Sequence, residues 1–337
     1  MGNLFSQSSP LSKSQLTQAF PPSPQFTEKN IPDQSGKVFI VTGASSGIGE
    51  QVANILYLKG AKVYIATRSE PKALAAIRRI ESQNPTSTGH LLFLPLDLAD
   101  LSTIKPSAHR FLTENTRLDV LFNNAGCSMT PQGSLSAQGH ELQLGTNCLG
   151  PFLFTHLLRP LLAQTAQTAP PASVRVIWVS SQGAELFSPR DGVPMHNLDY
   201  HIDATPGIKY NITKAGNIYQ ASELALRSRS QGEGFLSLAL NPGGVKSEAT
   251  RHYPAWLRWV AGWFMYEAVY GAYTELFAGL SPEVTASANG AYVLPWGRVA
   301  GTLREDLLLA QRSEGEGGTG VAARFWDWCE VQVADYV

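Results

Sequence analysis

The chain has 337 residues, with 26 basic and 27 acidic side chains and a formal net charge of -1. This balance argues against binding to nucleic acid, which requires a basic surface that neutralises phosphates. The three cysteines are an odd number without metal-ligand spacing, so we expect neither a disulfide framework nor a metal site. A globular cytoplasmic protein in a reducing compartment is the simplest expectation.

The first 35 residues differ in composition from the rest of the chain. They are rich in Ser, Gln and Pro and cannot bury much apolar surface, so residues 1–35 are expected to form a flexible tail or a strap. The chain begins with a short pattern that fits N-myristoylation at Gly2, although such patterns often match by chance. A single acyl chain would give only weak membrane association. No apolar run reaches transmembrane length, because the best one, over 255–271, is interrupted by Arg258 and Glu267.

From Lys37 onward, short apolar runs alternate with helical segments. This alternation predicts βαβ units and a doubly wound parallel sheet of the α/β class, in one domain over residues 36–312. A connection and a closing helix that contains Phe325 and Trp326 are expected over residues 313–337. The predicted strands are 38–41, 62–66, 91–94, 120–122, 174–179 and 236–240, and the predicted helices are 50–59, 73–82, 101–114, 137–163 and 210–231.

A glycine-rich turn follows the first predicted strand. Glycine is needed where the backbone turns tightly and where it approaches a pyrophosphate without a Cβ in the way. The helix that begins here would direct its free N–H groups at the phosphates, so this context predicts a dinucleotide site rather than an ordinary turn. The predicted contact residues are Gly43, Ser45, Ser46, Gly47, Ile48 and Gly49.

The end of the second strand bears on which dinucleotide is favoured. NAD sites carry an acidic residue there for the ribose 2′-hydroxyl, whereas an arginine accommodates the 2′-phosphate of NADP(H). Here the strand ends in Thr67-Arg68-Ser69, and Glu70 lies past the expected position. We therefore predict NADP(H), with an ordinary exposed charge at Arg68 as the alternative.

A tyrosine and a lysine four residues apart, Tyr210 and Lys214, lie on one face of a predicted helix. An ammonium near a phenol favours the phenolate and lowers the pKa of the phenol toward the range where it exchanges protons. This pair alone is common on surface helices. Its weight comes from the glycine turn upstream.

With these motifs in order, the sequence resembles the short-chain dehydrogenase/reductase family from about residue 36 to 250. The segments 123–126 (Asn-Asn-Ala-Gly) and 242–247 (Pro-Gly-Gly-Val-Lys-Ser) are similar to two further family motifs, although a serine ends the second where the family has threonine. The resemblance implies a Rossmann fold and additional site residues. These are Asp97, Asn124, Val245 and Ser247 at the cofactor, and Asn147 and Ser181 in catalysis.

The resemblance also implies a mechanism without a metal. Ser181 would donate a hydrogen bond to the substrate carbonyl, and Tyr210 would protonate that oxygen as hydride arrives from the nicotinamide. Lys214 would hold the ribose hydroxyls and lower the pKa of Tyr210, and Asn147 would anchor a water that relays protons to Lys214. The family often forms homodimers or tetramers, so a homodimer is one expectation.

Three of these assignments have structural alternatives. Asn147 could instead satisfy backbone groups in a helix kink, and Ser180 could take the place of Ser181. Asp97 could be the N-cap of the following helix.

Two departures from compact family members point to the substrate. Tyr210 follows Ser181 by 29 positions, and this long link resembles the retinol-dehydrogenase-like branch and related fungal reductases of secondary metabolism. The link contains His196 and His201, for which exposed loop positions are favoured over substrate or metal contacts. The segment over about 250–280 is rich in aromatic residues and is expected to cap the substrate cleft. Together these features suggest a bulky apolar carbonyl or alcohol substrate.

The leading hypothesis is an NADP(H)-dependent oxidoreductase acting on such a substrate. An NAD-dependent alcohol dehydrogenase of the same family is the alternative within the enzyme class. A catalytically idle NADP(H)-binding regulator or scaffold is the alternative outside it. The presence of all four catalytic residue types weighs against an idle protein.

Overall fold

The alternating strands and helices form one eight-stranded sheet in the order β3-β2-β1-β4-β5-β6-β7-β8. All neighbouring pairs are parallel except β7 and β8, which are antiparallel. The computed structural model describes residues 13–246 and 265–337. The strands are β1 (Val38–Thr42), β2 (Lys62–Thr67), β3 (His90–Pro95), β4 (Val120–Asn123), β5 (Arg175–Val179), β6 (Leu236–Leu240), β7 (Tyr292–Leu294) and β8 (Arg298–Val299).

Helices cover both faces of this sheet, which confirms the predicted doubly wound α/β fold. In β1, Phe39 and Val41 belong to one apolar core and Val38 and Ile40 to the other, because successive side chains point to opposite faces. The helices are α1 (Lys13–Ala19), α2 (Gly47–Leu58), α3 (Glu70–Gln83), α4 (Ile104–Glu114), α5 (Leu142–Leu144), α6 (Gly150–Thr168), α7 (Gly183–Phe187), α8 (Pro206–Ser230), α9 (Ala268–Leu280), α10 (Glu305–Ala310) and α11 (Val321–Val333).

The largest difference from the predicted elements is in the helix expected over 137–163. A turn occupies the start of that range, and the helical run comprises α5, a π-helical segment (Gly145–Leu149) and α6. Glycine at position 150 lets this helical run pass close to the loop after β3, because a Cβ there would lie 2.4 Å from Leu98 O. Strands β7 and β8 are too short to give a period in the sequence.

The N-terminal region packs on the domain, so the strap interpretation describes its residues from Gln18 onward better than the flexible tail. Phe26 and Ile31 are buried, and the Phe26 ring meets Phe277 edge-on at 5.8 Å between centroids. These apolar side chains bury surface that holds the segment on the domain, although the composition of the segment is polar on average. The Gly2 acylation pattern lies outside the described residues.

Helix α11 covers the outer faces of α6 and α8. Its Trp326 ring meets Phe152 edge-on at 4.7 Å, and Phe325 lies against Gly216, where a Cβ would approach to 2.9 Å. Trp326 and Phe325 are both buried. The predicted closing helix therefore belongs to the same apolar core as the helix that carries Tyr210 and Lys214.

The aromatic segment expected over about 250–280 lies only partly within the described residues. Its described part contains Tyr266 and Tyr270, whose rings both pack on Trp296 at 5.0 and 5.3 Å. The aromatic side chains that precede Met265 in this segment lie outside the described residues. No helix in the described ranges is both long enough and apolar enough to cross a bilayer.

Helix α9 packs beneath the sheet, and Arg175 holds its C-terminal end. The buried Arg175 guanidinium donates to the carbonyl oxygens of Ala278, Ser281 and Val284 at 2.9 to 3.0 Å. A cation is favourable at the C-terminus of a helix, where carbonyl groups lack partners within the helix.

Glu275 is a buried acid on the face of α9 that meets the sheet. A Cβ on Gly271, one turn before it, would lie 3.0 Å from Ile48, and a Cβ on Gly279, one turn after it, would lie 2.6 Å from Phe122. Glu275 is 0% exposed, and neither of its carboxyl oxygens has a hydrogen-bond partner among the described residues. Burial raises the pKa of Glu275 to about 8, and the positive charge of Lys214 opposes that rise.

We expect Glu275 to make stability fall as pH rises. The unfolded chain releases this proton near the ordinary pKa of 4.5, whereas the folded protein keeps it up to about 8. The contribution of Glu275 to the free energy of unfolding is therefore fully present below pH 4.5 and is lost progressively as the pH rises to about 8. Urea unfolding between about pH 5 and about pH 8.5 should show this loss in the wild type.

The change Glu275→Gln should flatten that pH dependence and raise stability at the alkaline end of the range. Glu283→Gln makes the same chemical change at an exposed site and should leave the slope unchanged. A wild-type slope that survives in Glu275→Gln would show that other groups cause it.

Candidate active site

A cleft of about 940 Å³ lies at the carboxyl ends of the parallel strands. It opens between β1 and β4, where the strand order reverses direction and the connecting loops diverge. The cleft is lined by the turn after β1, by the ends of β2 and β5, and by helix α8. The topology thus brings together segments that lie far apart in the sequence.

The glycine turn forms the floor of this cleft. Gly43 and Gly47 adopt φ values of 69° and 61°, a left-handed region that glycine occupies without strain. Ser46 precedes helix α2 without a side-chain cap, so the first N–H groups of α2 remain available to a phosphate. The lining residues Ser45 and Ile48 complete a cradle that fits a pyrophosphate.

Gly49 has a structural role within this turn. It does not line the cleft, and a Cβ at this position would lie 2.5 Å from Asn124 Nδ2. Asn124 Nδ2 donates to Thr42 O at 2.6 Å, and Thr42 Oγ1 accepts from Ala125 N–H at 2.9 Å. Gly49 therefore allows the clamp that joins the ends of β1 and β4.

Two cations line the end of the cleft where β2 finishes. Arg68 and Lys72 are both exposed there, and Ser69 lies between them in the sequence. Sequence reasoning missed Lys72, and its available signal was a second basic residue four positions after Arg68 in the sequence, in the first turn of α3. Together the two positive charges suit a phosphate better than a neutral hydroxyl.

Asp97 also lines the cleft, beyond β3. Its Oδ1 accepts from Ala99 N–H at 3.0 Å, which holds the loop in a tight turn. The N-cap alternative does not describe it, because Asp100 caps the following 3-10 turn. Asp97 thus remains a candidate for the adenine end of the cofactor.

Helix α8 presents Tyr210 and Lys214 to the opposite end of the cleft. The helix begins at Pro206 after an N-cap at Thr205, earlier than the predicted start at Tyr210. Lys214 is 5% exposed, and its Nζ donates to Val179 O at 2.7 Å and lies 5.6 Å from the centre of the Tyr210 ring. Burial lowers the pKa of Lys214 to about 8.

The two serines after β5 have different surroundings. Ser180 is buried, and its Oγ donates to Lys214 O at 2.6 Å. Ser181 is only half-buried, and its Oγ accepts from Gly183 N–H at 3.1 Å, which orients the hydroxyl. This geometry favours Ser181 over Ser180 as the group that meets a substrate.

Asn147 lies in the π-helical segment and does not line the cleft. Its side chain is fully used within the fold, because Oδ1 accepts from Cys127 N–H at 2.8 Å and Nδ2 donates to Cys127 O at 2.9 Å and to Thr213 Oγ1 at 3.0 Å. Its carbonyl oxygen accepts from Asn217 Nδ2 at 2.8 Å, and Asn217 Oδ1 lies 3.4 Å from Lys214 Nζ. One hydrogen-bonded connection from Asn147 to Lys214 therefore runs through Asn217.

The long link before Tyr210 is anchored to the domain. Tyr219 Oη donates to Asp191 O at 2.8 Å, and Gly192 packs against Tyr219 and Leu307. His196 and His201 are exposed and do not line the cleft.

The predicted residue Ser247 lies outside the described residues. The predicted site residues that do line the cleft are Gly43, Ser45, Ser46, Gly47, Ile48, Arg68, Asp97, Asn124, Ser181, Tyr210, Lys214 and Val245.

Comparisons with known proteins identify the family of this chain. The family model for the short chain dehydrogenases matches residues 37–192. A short-chain dehydrogenase/reductase from Phomopsis amygdali is 50% identical over 96% of this chain and 98% of its own. The short-chain dehydrogenase/reductase bet4 of Neocamarosporium betae is 46% identical over 98% of this chain and 95% of its own.

Solved structures show the same fold. An uncharacterised protein from Mycobacterium paratuberculosis is 27% identical with a TM-score of 0.67, and the alignment covers 93% of this chain and 98% of that one. The NADP active-site complex of RhlG from Pseudomonas aeruginosa is 27% identical with a TM-score of 0.50, over 65% of this chain and 77% of that one. Because the curated relatives match nearly the whole chain, the predicted resemblance is confirmed: this chain belongs to the short-chain dehydrogenase/reductase family.

Proposed function

We propose that this chain is an NADP(H)-dependent oxidoreductase that interconverts an alcohol and a ketone or aldehyde on a bulky apolar substrate. One observation carries the proposal: Ser181, Tyr210 and Lys214 line the same cleft as the glycine turn and Arg68. A proton donor therefore lies in the same cleft as a dinucleotide cradle, as carbonyl reduction requires.

The proposed division of labour follows from these positions. When bound, the nicotinamide supplies the hydride for reduction or accepts it in the reverse direction. Ser181 donates a hydrogen bond to the carbonyl oxygen, and Tyr210 gives that oxygen its proton; in alcohol oxidation Tyr210 takes the proton back. The Lys214 ammonium stabilises the ionised phenol that Tyr210 leaves behind.

Asn147 acts on this chemistry at one remove. Its side chain fixes the backbone at Cys127, and its carbonyl orients Asn217, which lies beside Lys214 Nζ. Asn147 is thus a positioning residue for Lys214. Because Asn147 does not line the cleft, this role requires no contact between Asn147 and the substrate.

The lining of the cleft supports an apolar substrate. Besides the groups named above, the lining contains Cys127, Pro131, Leu142 and Met265, together with the hydroxyl groups of Ser128, Thr130 and Thr146. Apolar walls with a few directed polar groups are typical of sites that bind hydrophobic small molecules. The proposal therefore favours aromatic or lipid-like carbonyl compounds over small polar ones.

Tyr210→Phe should lower kcat by at least about 10²-fold, because it removes the proton that the carbonyl oxygen receives. Its NADPH affinity should stay close to that of the wild type, because the aromatic ring remains. Turnover is measured by NADPH oxidation with a panel of ketones and aldehydes, and affinity by the thermal shift with NADPH. Tyr336→Phe, near the C-terminus, is the matched control. Wild-type turnover by Tyr210→Phe would refute the proposed acid.

The serine pair separates catalysis from stability. Ser181→Ala should lower kcat by about 10²-fold or more with an unchanged Tm, because a hydrogen bond to the reacting oxygen is lost. Ser180→Ala should lower stability by about 1 kcal/mol, because it removes the buried hydrogen bond to Lys214 O. Kinetics and thermal unfolding of both variants check this, and the reverse pattern would make Ser180 the catalytic serine.

Arg68→Ala should weaken NADPH binding by about 10- to 100-fold and leave NADH binding nearly unchanged, because only NADPH carries the 2′-phosphate. Lys72→Ala should have a smaller effect in the same direction. Arg78→Ala removes an exposed arginine from the same helix α3 and is the control. Titration of nicotinamide fluorescence measures each Kd, and an equal loss for both cofactors would favour the NAD-dependent alternative.

A further inference from the structure

A buried glutamine joins the N-terminal helix α1 to the interior of the domain. Gln18 is 1% exposed, although it lies in a segment of polar composition. Its Nε2 donates to Glu185 Oε2 at 2.6 Å, and its Oε1 accepts from Asn241 Nδ2 at 2.9 Å. Both ends of the amide are therefore used, in the donor and acceptor pattern that only an amide side chain of this length supplies.

The first partner of Gln18 belongs to the segment that follows the catalytic serine. Glu185 is buried in helix α7, which begins two residues after Ser181. Ser181 is coupled to α7, because its Oγ accepts from the first N–H group of that helix, at Gly183. A displacement of α7 would therefore move the Ser181 hydroxyl.

The second partner belongs to the opposite wall of the cleft. Asn241 follows β6 and lines the cleft, and its Oδ1 accepts from Gly243 N–H at 2.9 Å. This bond shapes the turn at 242–244, which also lines the cleft. A single side chain from residue 18 thus spans two walls that are 56 residues apart in the sequence.

A further bond holds α1 in this position. Arg298, in strand β8, donates from Nη2 to Thr17 O at 2.9 Å. On the other side, Arg304 Nη1 donates to Glu185 O at 2.9 Å. The Gln18 amide is therefore set between elements that are themselves fixed, so its contacts constrain both walls.

We propose that helix α1 supports the active site, with Gln18 as a positioning residue that sets the spacing between Ser181 and the turn after β6. The inference rests on the proposed function, since the cost of losing this spacing is a cost to carbonyl reduction. Gln18 does not line the cleft, so it acts through Glu185 and Asn241 and not on the substrate itself. The N-terminal strap thereby becomes a determinant of substrate turnover.

The bridge formed by Gln18 between Glu185 and Asn241 is tested in the full-length protein by exchanging the acid and the amide between positions 18 and 185. Q18E places two carboxyl groups where one donor and one acceptor met, and it should lower kcat/KM for a carbonyl substrate by at least about tenfold. The double variant Q18E/E185Q restores the pattern, because the new carboxylate accepts from the amide introduced at position 185 and from Asn241. It should recover to within about threefold of the wild type. Q25E makes the same change at an exposed glutamine of the strap and should behave as the wild type.

A second measurement reports on the bridge without turnover. In Q18E, backbone amides over 183–188 and 241–246 should exchange hydrogen faster than in the wild type, and the double variant should return them to the wild-type rate. An NADPH-dependent rise in Tm verifies that each variant is folded.

The outcomes separate this inference from the proposed function. If the wild type reduces no carbonyl compound, the proposed function fails, while the exchange rates still decide whether Gln18 spans the two walls. If the wild type is active and Q18E matches it in kcat/KM and in exchange, the positioning role is overturned. A folded double variant that stays as impaired as Q18E would also overturn it, since the loss would then not come from the paired contact.

Discussion

The ammonium of Lys214 is buried between helix α8 and the end of strand β5, and the geometry of the site depends on how it is satisfied. Its Nζ donates to Val179 O, and the Ser180 hydroxyl donates in return to Lys214 O. A buried charge is costly unless it is hydrogen-bonded, so these contacts hold α8 against β5 at one register. Tyr210, one helical turn earlier, is thereby placed at the cleft.

The second constraint is the reversal of strand order between β1 and β4. Loops after these strands diverge, and the space between them becomes the cleft that holds the glycine turn. Asn124 and Thr42 close the gap by joining the two strand ends through hydrogen bonds. The glycine turn and Tyr210 therefore share one frame, while the N-terminal strap and α11 reinforce it from outside.

Much of this arrangement could be predicted from the sequence because its signals are local. A buried parallel strand reads as an apolar run, and a glycine turn followed by a helix is visible in eight residues. The glycine turn, the segment 123–126, the pair Tyr210 and Lys214 and the segment 242–247, arriving in this order, indicated the family. Asn217 and Gln18 carried no such signal, because each is an ordinary polar residue until the fold gives it a neighbour.

The sequence by itself determined the α/β class, the cofactor turn and the spacing of Tyr210 and Lys214, since these follow from periodicity within a single element. Only the tertiary structure gave Ser180 and Ser181 different surroundings, turned Asn147 toward the backbone of Cys127, and favoured the strap over the tail for the residues from Gln18 onward. The physical reason is the same in each case. Whether a polar group is buried and which partner it meets depend on residues distant in the chain, and no local pattern encodes that encounter.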